Sequence, residues 1–173
     1  MVKSVKMLTI IFSMIVSSSA MHAQGIYSED FLNTIECRDF SCFENMMGQL
    51  NYSLMPEYST MGSAETYQCN VANEDGGHDA INFAIYTSDS SSYDELIFAT
   101  DRYFTYDALK TGLIVNAFVS YQTDKGENGA TRTYYYSSLY PNISMITQTF
   151  DESPDGVLMQ YYITLQINRG DLK

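Results

Sequence analysis

Beyond residue 23 this chain has one histidine, His78, in the run Gly76-Gly77-His78-Asp79. An imidazole acts as a general base only beside an oriented partner, and a glycine turn between two strands accounts for this segment without one. The three cysteines, Cys37, Cys42 and Cys69, form no CxxC redox motif and no metal-ligand spacing, and one histidine cannot complete a His-rich zinc site. The run Asp151-Glu152-Ser153-Pro154-Asp155-Gly156 has oxygen ligands but lacks the distal glutamate of a calcium loop. Its Pro-Asp-Gly reads as a hairpin turn. The sequence contains no phosphate loop, Gly-x-Ser-x-Gly elbow or dinucleotide fingerprint. Asn51-Tyr52-Ser53 and Asn142-Ile143-Ser144 match the N-glycosylation acceptor pattern, which has meaning in a eukaryotic secretory pathway. No catalytic residue, metal ligand or cofactor is expected, and the reading is of a protein that is not an enzyme. What the chain does offer is recognition chemistry, with 15 tyrosines interleaved with Gln, Asn, Thr and Ser. Tyrosine gives contact area at little entropic cost, while amides and hydroxyls supply hydrogen bonds. The candidates for that role are Tyr86, Tyr135, Gln160, Tyr162, Gln166 and Gln68.

These candidates need strands to position them. The clearest strand is 157–167, where Val157, Met159, Tyr161, Ile163, Leu165 and Ile167 alternate with Leu158, Gln160, Tyr162, Thr164 and Gln166. Period-2 patterning of that kind gives one buried and one outward face. Further strands are expected at 52–58, at the edge because of Pro56, and at 65–72, 81–87 and 95–100. The rest of the sheet is expected at 115–122, 132–138 and 143–150, with polar turns between. Helices are expected at 28–36, 40–47 and 103–111. Ser28 is placed to cap the first, with Glu29 and Asp30 favourable to its dipole; Asp39 caps the second, and Gly48 ends it.

Cys37 and Cys42 are five residues apart. In one continuous helix that spacing rises roughly 7.5 Å, too far for a bridge. A Cys37–Cys42 disulfide therefore requires a break between two short helices, which Asp39 supplies. This pairing is preferred; Cys69 with Cys37 or Cys42 is the alternative, and it would tie strand to helix. Cys69 alternates with Tyr67 and Val71, and so reads as a buried thiol on the core side.

Lys3 and Lys6, the apolar run 7–16 and the small-residue stretch 17–23 read as a signal peptide, cut after Ala20 or Ala23. The apolar run is too short to span a bilayer comfortably. The expected location is secreted or periplasmic, with no membrane span in the mature form. Removing 1–23 leaves 150 residues with 7 basic and 21 acidic side chains, a net charge of −14. That balance excludes nucleic acid, whose phosphates need clustered Lys and Arg. It is read first as solubility, with another protein of basic character as the partner the same charge would attract. Nothing in the sequence sets the oligomeric state.

The element order repeats: a short helical stretch, then about four strands, then the same again. The expected fold class is α+β, built as two tandem α-β4 units, 24–101 and 102–173, or as one continuous domain, with helices packed on one face of antiparallel sheet. This order resembles the β-lactamase inhibitory protein architecture, and the helix turn bearing Cys37 and Cys42 fits that pattern. The resemblance implies a secreted inhibitor of an enzyme or protease built from two helix-then-four-strand repeats.

If Tyr67, Val71, Ile81, Phe83, Ile85, Tyr161 and Ile163 face the helices, the outer face is expected to present Gln68, Asn82, Tyr86, Thr133, Tyr135, Gln160, Tyr162 and Gln166. That set is uncharged. It reads as a protein-binding face, with a carbohydrate- or small-ligand-binding module as the alternative.

Overall fold

The computed structural model describes residues 26–54, 64–72, 78–87, 92–126, 129–151 and 159–170. The signal peptide at 1–23, the strand residues expected at 55–58 and the turn at 152–156 lie outside the described residues.

Two short helices open the chain, α1 (Ser28–Ile35) and α2 (Phe40–Gln49). Phe31, Leu32 and Ile35 recur at helical spacing and are buried. Ser28 does not cap α1; Tyr27 takes the N-cap position, and no side chain bonds there. Asp39 does cap α2, its carboxylate accepting from the Cys42 amide at 2.8 Å. The resulting break brings Cys37 and Cys42 to a Cα separation of 5.5 Å, and they form the disulfide. Gly48 lies inside α2 rather than ending it. Asn51 provides the left-handed residue after the helix, at φ 61°.

The strands are β1 (Ser53–Leu54), β2 (Ala64–Ala72), β3 (His78–Thr87) and β4 (Ser92–Thr100), followed after α3 (Tyr103–Asn116) by β5 (Phe118–Lys125), β6 (Ala130–Ser137), β7 (Ile143–Phe150) and β8 (Tyr161–Gly170). His78 thus begins a strand. Helix α3 outruns the expected end at 111 because Leu113 continues the buried stripe of Tyr106 and Leu109. Val115, expected in a strand, is helical. All strands join one antiparallel sheet in the order β1-β2-β3-β4-β8-β7-β6-β5, making a mixed α+β fold. At its centre β4 pairs with β8, placing Leu96 opposite Leu165 and Phe98 opposite Ile163.

The core lies between this sheet and the helices. Phe43 stacks on Phe83 with ring centroids 5.2 Å apart, and Phe31 meets Phe98 edge-on at 6.4 Å. On α3, Tyr106 stacks on Tyr161 at 5.2 Å. Each fully buried aromatic contributes about 2–3 kcal/mol by removal of apolar surface from water. Two ion pairs anchor the margins of this core. Asp79 is fully buried, pairs with Arg102 at 2.6 Å and accepts from the Thr100 hydroxyl at 2.6 Å. Asp94 is matched by Arg169, also at 2.6 Å. Among the described residues all three helices lie on one side, and the other side of the sheet carries no helical layer.

Candidate binding face

Register fixes which side chains share the uncovered face. Leu96, Phe98, Ile163, Leu165 and Met145 are fully buried on the helix side, so their strand neighbours point the other way. One row across the sheet runs Ala84, Glu95, Gln166, Ser144. The next toward the sheet end runs Tyr86, Tyr93, Asn168. On the other flank, Asn82, Ile97, Thr164, Ile146, Tyr134 and Gln122 align, and beyond them Ala80, Ala99, Tyr162, Gln148, Arg132 and Asp124.

Of the six expected binding residues, Tyr86, Tyr162 and Gln166 occupy this face. Tyr86 stacks on Tyr93 with centroids 4.6 Å apart. Its phenol donates to Glu95 Oε2 at 3.4 Å, and burial, then the Glu95 charge and the Tyr93 phenol, push its pKa above the usual 10.0. Tyr162 donates to the Met159 carbonyl at 3.2 Å and packs edge-on against Phe150. Burial raises its pKa as well. Gln166 donates from Nε2 to Glu95 Oε1 at 2.8 Å. Gln160 precedes β8, its main chain bonded to Thr100 and Phe150. Gln68 lies in β2 opposite Asn82, and Cys69 opposite Ile81; the side chains of these two lie outside the described set.

Tyr135 is a correction. It pairs with Met145 and is only 7% exposed, so its side chain lies on the core side of β6, as does Thr133 opposite buried Thr147, yet Tyr135 also lines the groove bordered by Tyr93, Tyr121 and Tyr136. The run Thr131-Arg132-Thr133-Tyr134-Tyr135-Tyr136-Ser137 has no apolar–polar contrast to set its phase. Arg132 carries the missing signal, because a charged side chain in mid-strand marks the solvent side and puts Tyr134 and Tyr136 there with it. The face is not uncharged either. Glu95 sits near its middle, and Arg132 and Asp124 toward the β5 edge, bonded to Gln148 and Gln122 respectively.

The correction brings other tyrosines into view. A bulge in β5 between Ser120 and Gln122 turns Tyr121 onto this face, where its ring lies 6.3 Å from Tyr134 and 6.2 Å from Tyr136. Tyr121 and Tyr136 are 61% and 52% exposed. With Tyr93, Gln166, Asn168, Ser144, Asn142 and Pro141 they border an open groove of about 770 Å³. Aromatic walls with amide and hydroxyl groups can stack on and hydrogen-bond to a bound group. Among the described residues no group of three or more His, Cys, Asp or Glu is placed to hold a metal ion. In comparison with known proteins, no family model, curated protein or solved structure matches the chain, so the likeness to the β-lactamase inhibitory architecture stands on element order alone.

Proposed function

We propose that this is a secreted or periplasmic, non-enzymatic binding protein that captures another protein on the uncovered sheet face. One observation carries the reading: Tyr93, Tyr121 and Tyr136, all exposed, converge on one groove of a face that no helix covers among the described residues. Tyrosines of this kind are enriched at protein interfaces, where a ring packs and a hydroxyl bonds. The open shape favours a broad partner over a small enclosed ligand. Secretion is supported by the N-terminal pattern of 1–23 and by the Cys37–Cys42 disulfide, which is compatible with an oxidising compartment. Among the described residues no helix is long and apolar enough to cross a membrane.

The finer reading of the fold, two related α-β4 halves, belongs to the same proposal. Its support is the strand order, in which β1 to β4 and β5 to β8 each run as a meander and the fourth strands, β4 and β8, lie side by side. Inhibition of an enzyme is the form of capture that the resemblance to the β-lactamase inhibitory architecture would imply.

The test is photo-cross-linking in the native secreted fraction, with a probe at Tyr121 or, as control, at exposed Glu44 on α2. A discrete protein adduct from position 121 and none from 44 supports the reading. Adducts from 44 alone overturn it.

A further inference from the structure

Asp79, Asp94 and Asp107 each have a cation within 2.8 Å. Glu95, near the middle of the uncovered face, has none among the described residues. Its two hydrogen bonds come from neutral donors, Gln166 Nε2 at 2.8 Å and Tyr86 OH at 3.4 Å. An ionised carboxylate offers about four lone-pair sites, so about half remain open. Beside it stand the stacked rings of Tyr86 and Tyr93, whose π faces attract cations. Gln166 connects Glu95 to the groove, whose edge carries the amides of Asn168 and Asn142. The chain as a whole has net charge −12, which draws positively charged partners toward it.

We infer that Glu95, beside the groove and joined to it through Gln166, seats an arginine side chain of the partner protein. The carboxylate takes the charge, and the Tyr93 ring and the neighbouring amides take the planar guanidinium. Arginine fits better than lysine because a flat, forked donor can bond a carboxylate and stack on an aromatic ring at once. The inference rests on the docking-face reading and gives the partner its chemistry at one position.

The test is an NMR titration of the isotope-labelled chain with N-acetyl-arginine amide, compared with its uncharged citrulline counterpart. Saturable shifts at the amides of Tyr93, Glu95 and Gln166 with arginine, weaker with citrulline and at higher salt, support the inference. Glu95→Gln should weaken arginine binding by about tenfold or more. Equal binding of the two probes overturns the inference and needs no variant. Unchanged arginine binding by Glu95→Gln, or saturation of the groove by cellotetraose where arginine gives no shift, does so too. If the arginine effect fails while partner capture still depends on Tyr121 and Tyr136, this inference alone falls. If capture is indifferent to those tyrosines, the docking-face reading beneath it falls.

Discussion

The guanidinium of Arg169 in β8 lies 2.6 Å from the buried carboxylate of Asp94 in β4, and its Nη2 also donates to the main-chain oxygens of Ile35 and Cys37. One side chain thus joins the two central strands to the end of α1 and to the disulfide loop.

Removing that guanidinium strands the Asp94 charge among apolar neighbours and leaves two carbonyls without their donor. Arg169→Ala is expected to cost about 2–4 kcal/mol, read from chemical denaturation. A loss within the scatter of a surface substitution would show that the contact is not formed in solution.

Asp94 also gives a pH signature. Burial pushes its carboxyl above the ordinary 3.8, with Arg169 pulling the other way and not prevailing. Between the unfolded value and the raised native one, the folded chain binds the proton more tightly. This group's contribution to stability is therefore full below the unfolded value and declines as pH rises through the native one. Asp94→Asn has no such titration. The stability of the variant relative to the parent should grow as pH rises from about 4 to about 7. A gap that narrows over that window would mean the charged form is favoured in the native state.

Adjacent tyrosines should behave oppositely. Tyr135 is 7% exposed and faces Met145, whereas Tyr136 is 52% exposed. Tyr135→Ala is expected to lose about 3–4 kcal/mol and Tyr136→Ala about 0.5 kcal/mol or less. The reverse ranking would place β6 one residue out of register.

That pair also marks where sequence reading stopped. Strands with contrast, such as the run from Tyr161 to Ile167, declare their faces because Ile163 and Leu165 alternate with Thr164 and Gln166. The Asp39 cap and the Cys37–Cys42 bridge were legible for a local reason: the chemistry lies within six residues. Strand β6 offers three tyrosines in a row, and its phase comes from tertiary packing against Met145. The bulge that turns Tyr121 has no sequence marker, and Glu95 meets Gln166 only because β4 pairs with a strand 71 residues away.

Gly112 marks the close approach of α3 to α1. A Cβ there would sit 2.7 Å from Ser28 Oγ and 2.9 Å from Ser28 Cβ. Gly112→Ala gains helix propensity but forces the two helices apart, with a net cost of about 1–2 kcal/mol in thermal unfolding. Adding Ser28→Gly should recover part of it, since both clashing atoms are removed. Additive losses in the double variant would contradict the contact.

The disulfide closes a loop of only six residues, counting both cysteines. Loop-closure entropy then gives about 2 kcal/mol. Cys37→Ser with Cys42→Ser should remain folded, with a lower unfolding midpoint in denaturant. Complete unfolding of the double variant would assign the bridge a larger role than its loop length allows.

The most direct measurement is calorimetric titration of the partner recovered by cross-linking against three forms of the chain. These are the parent, Tyr93→Ala/Tyr121→Ala/Tyr136→Ala, and Phe104→Ala on the 86% exposed helix-side position. The triple tyrosine variant is expected to melt near the parent and bind at least about 100-fold more weakly, while Phe104→Ala binds as the parent does. Binding by the triple variant within about threefold of the parent, or loss of binding by Phe104→Ala, would contradict docking on the uncovered sheet face.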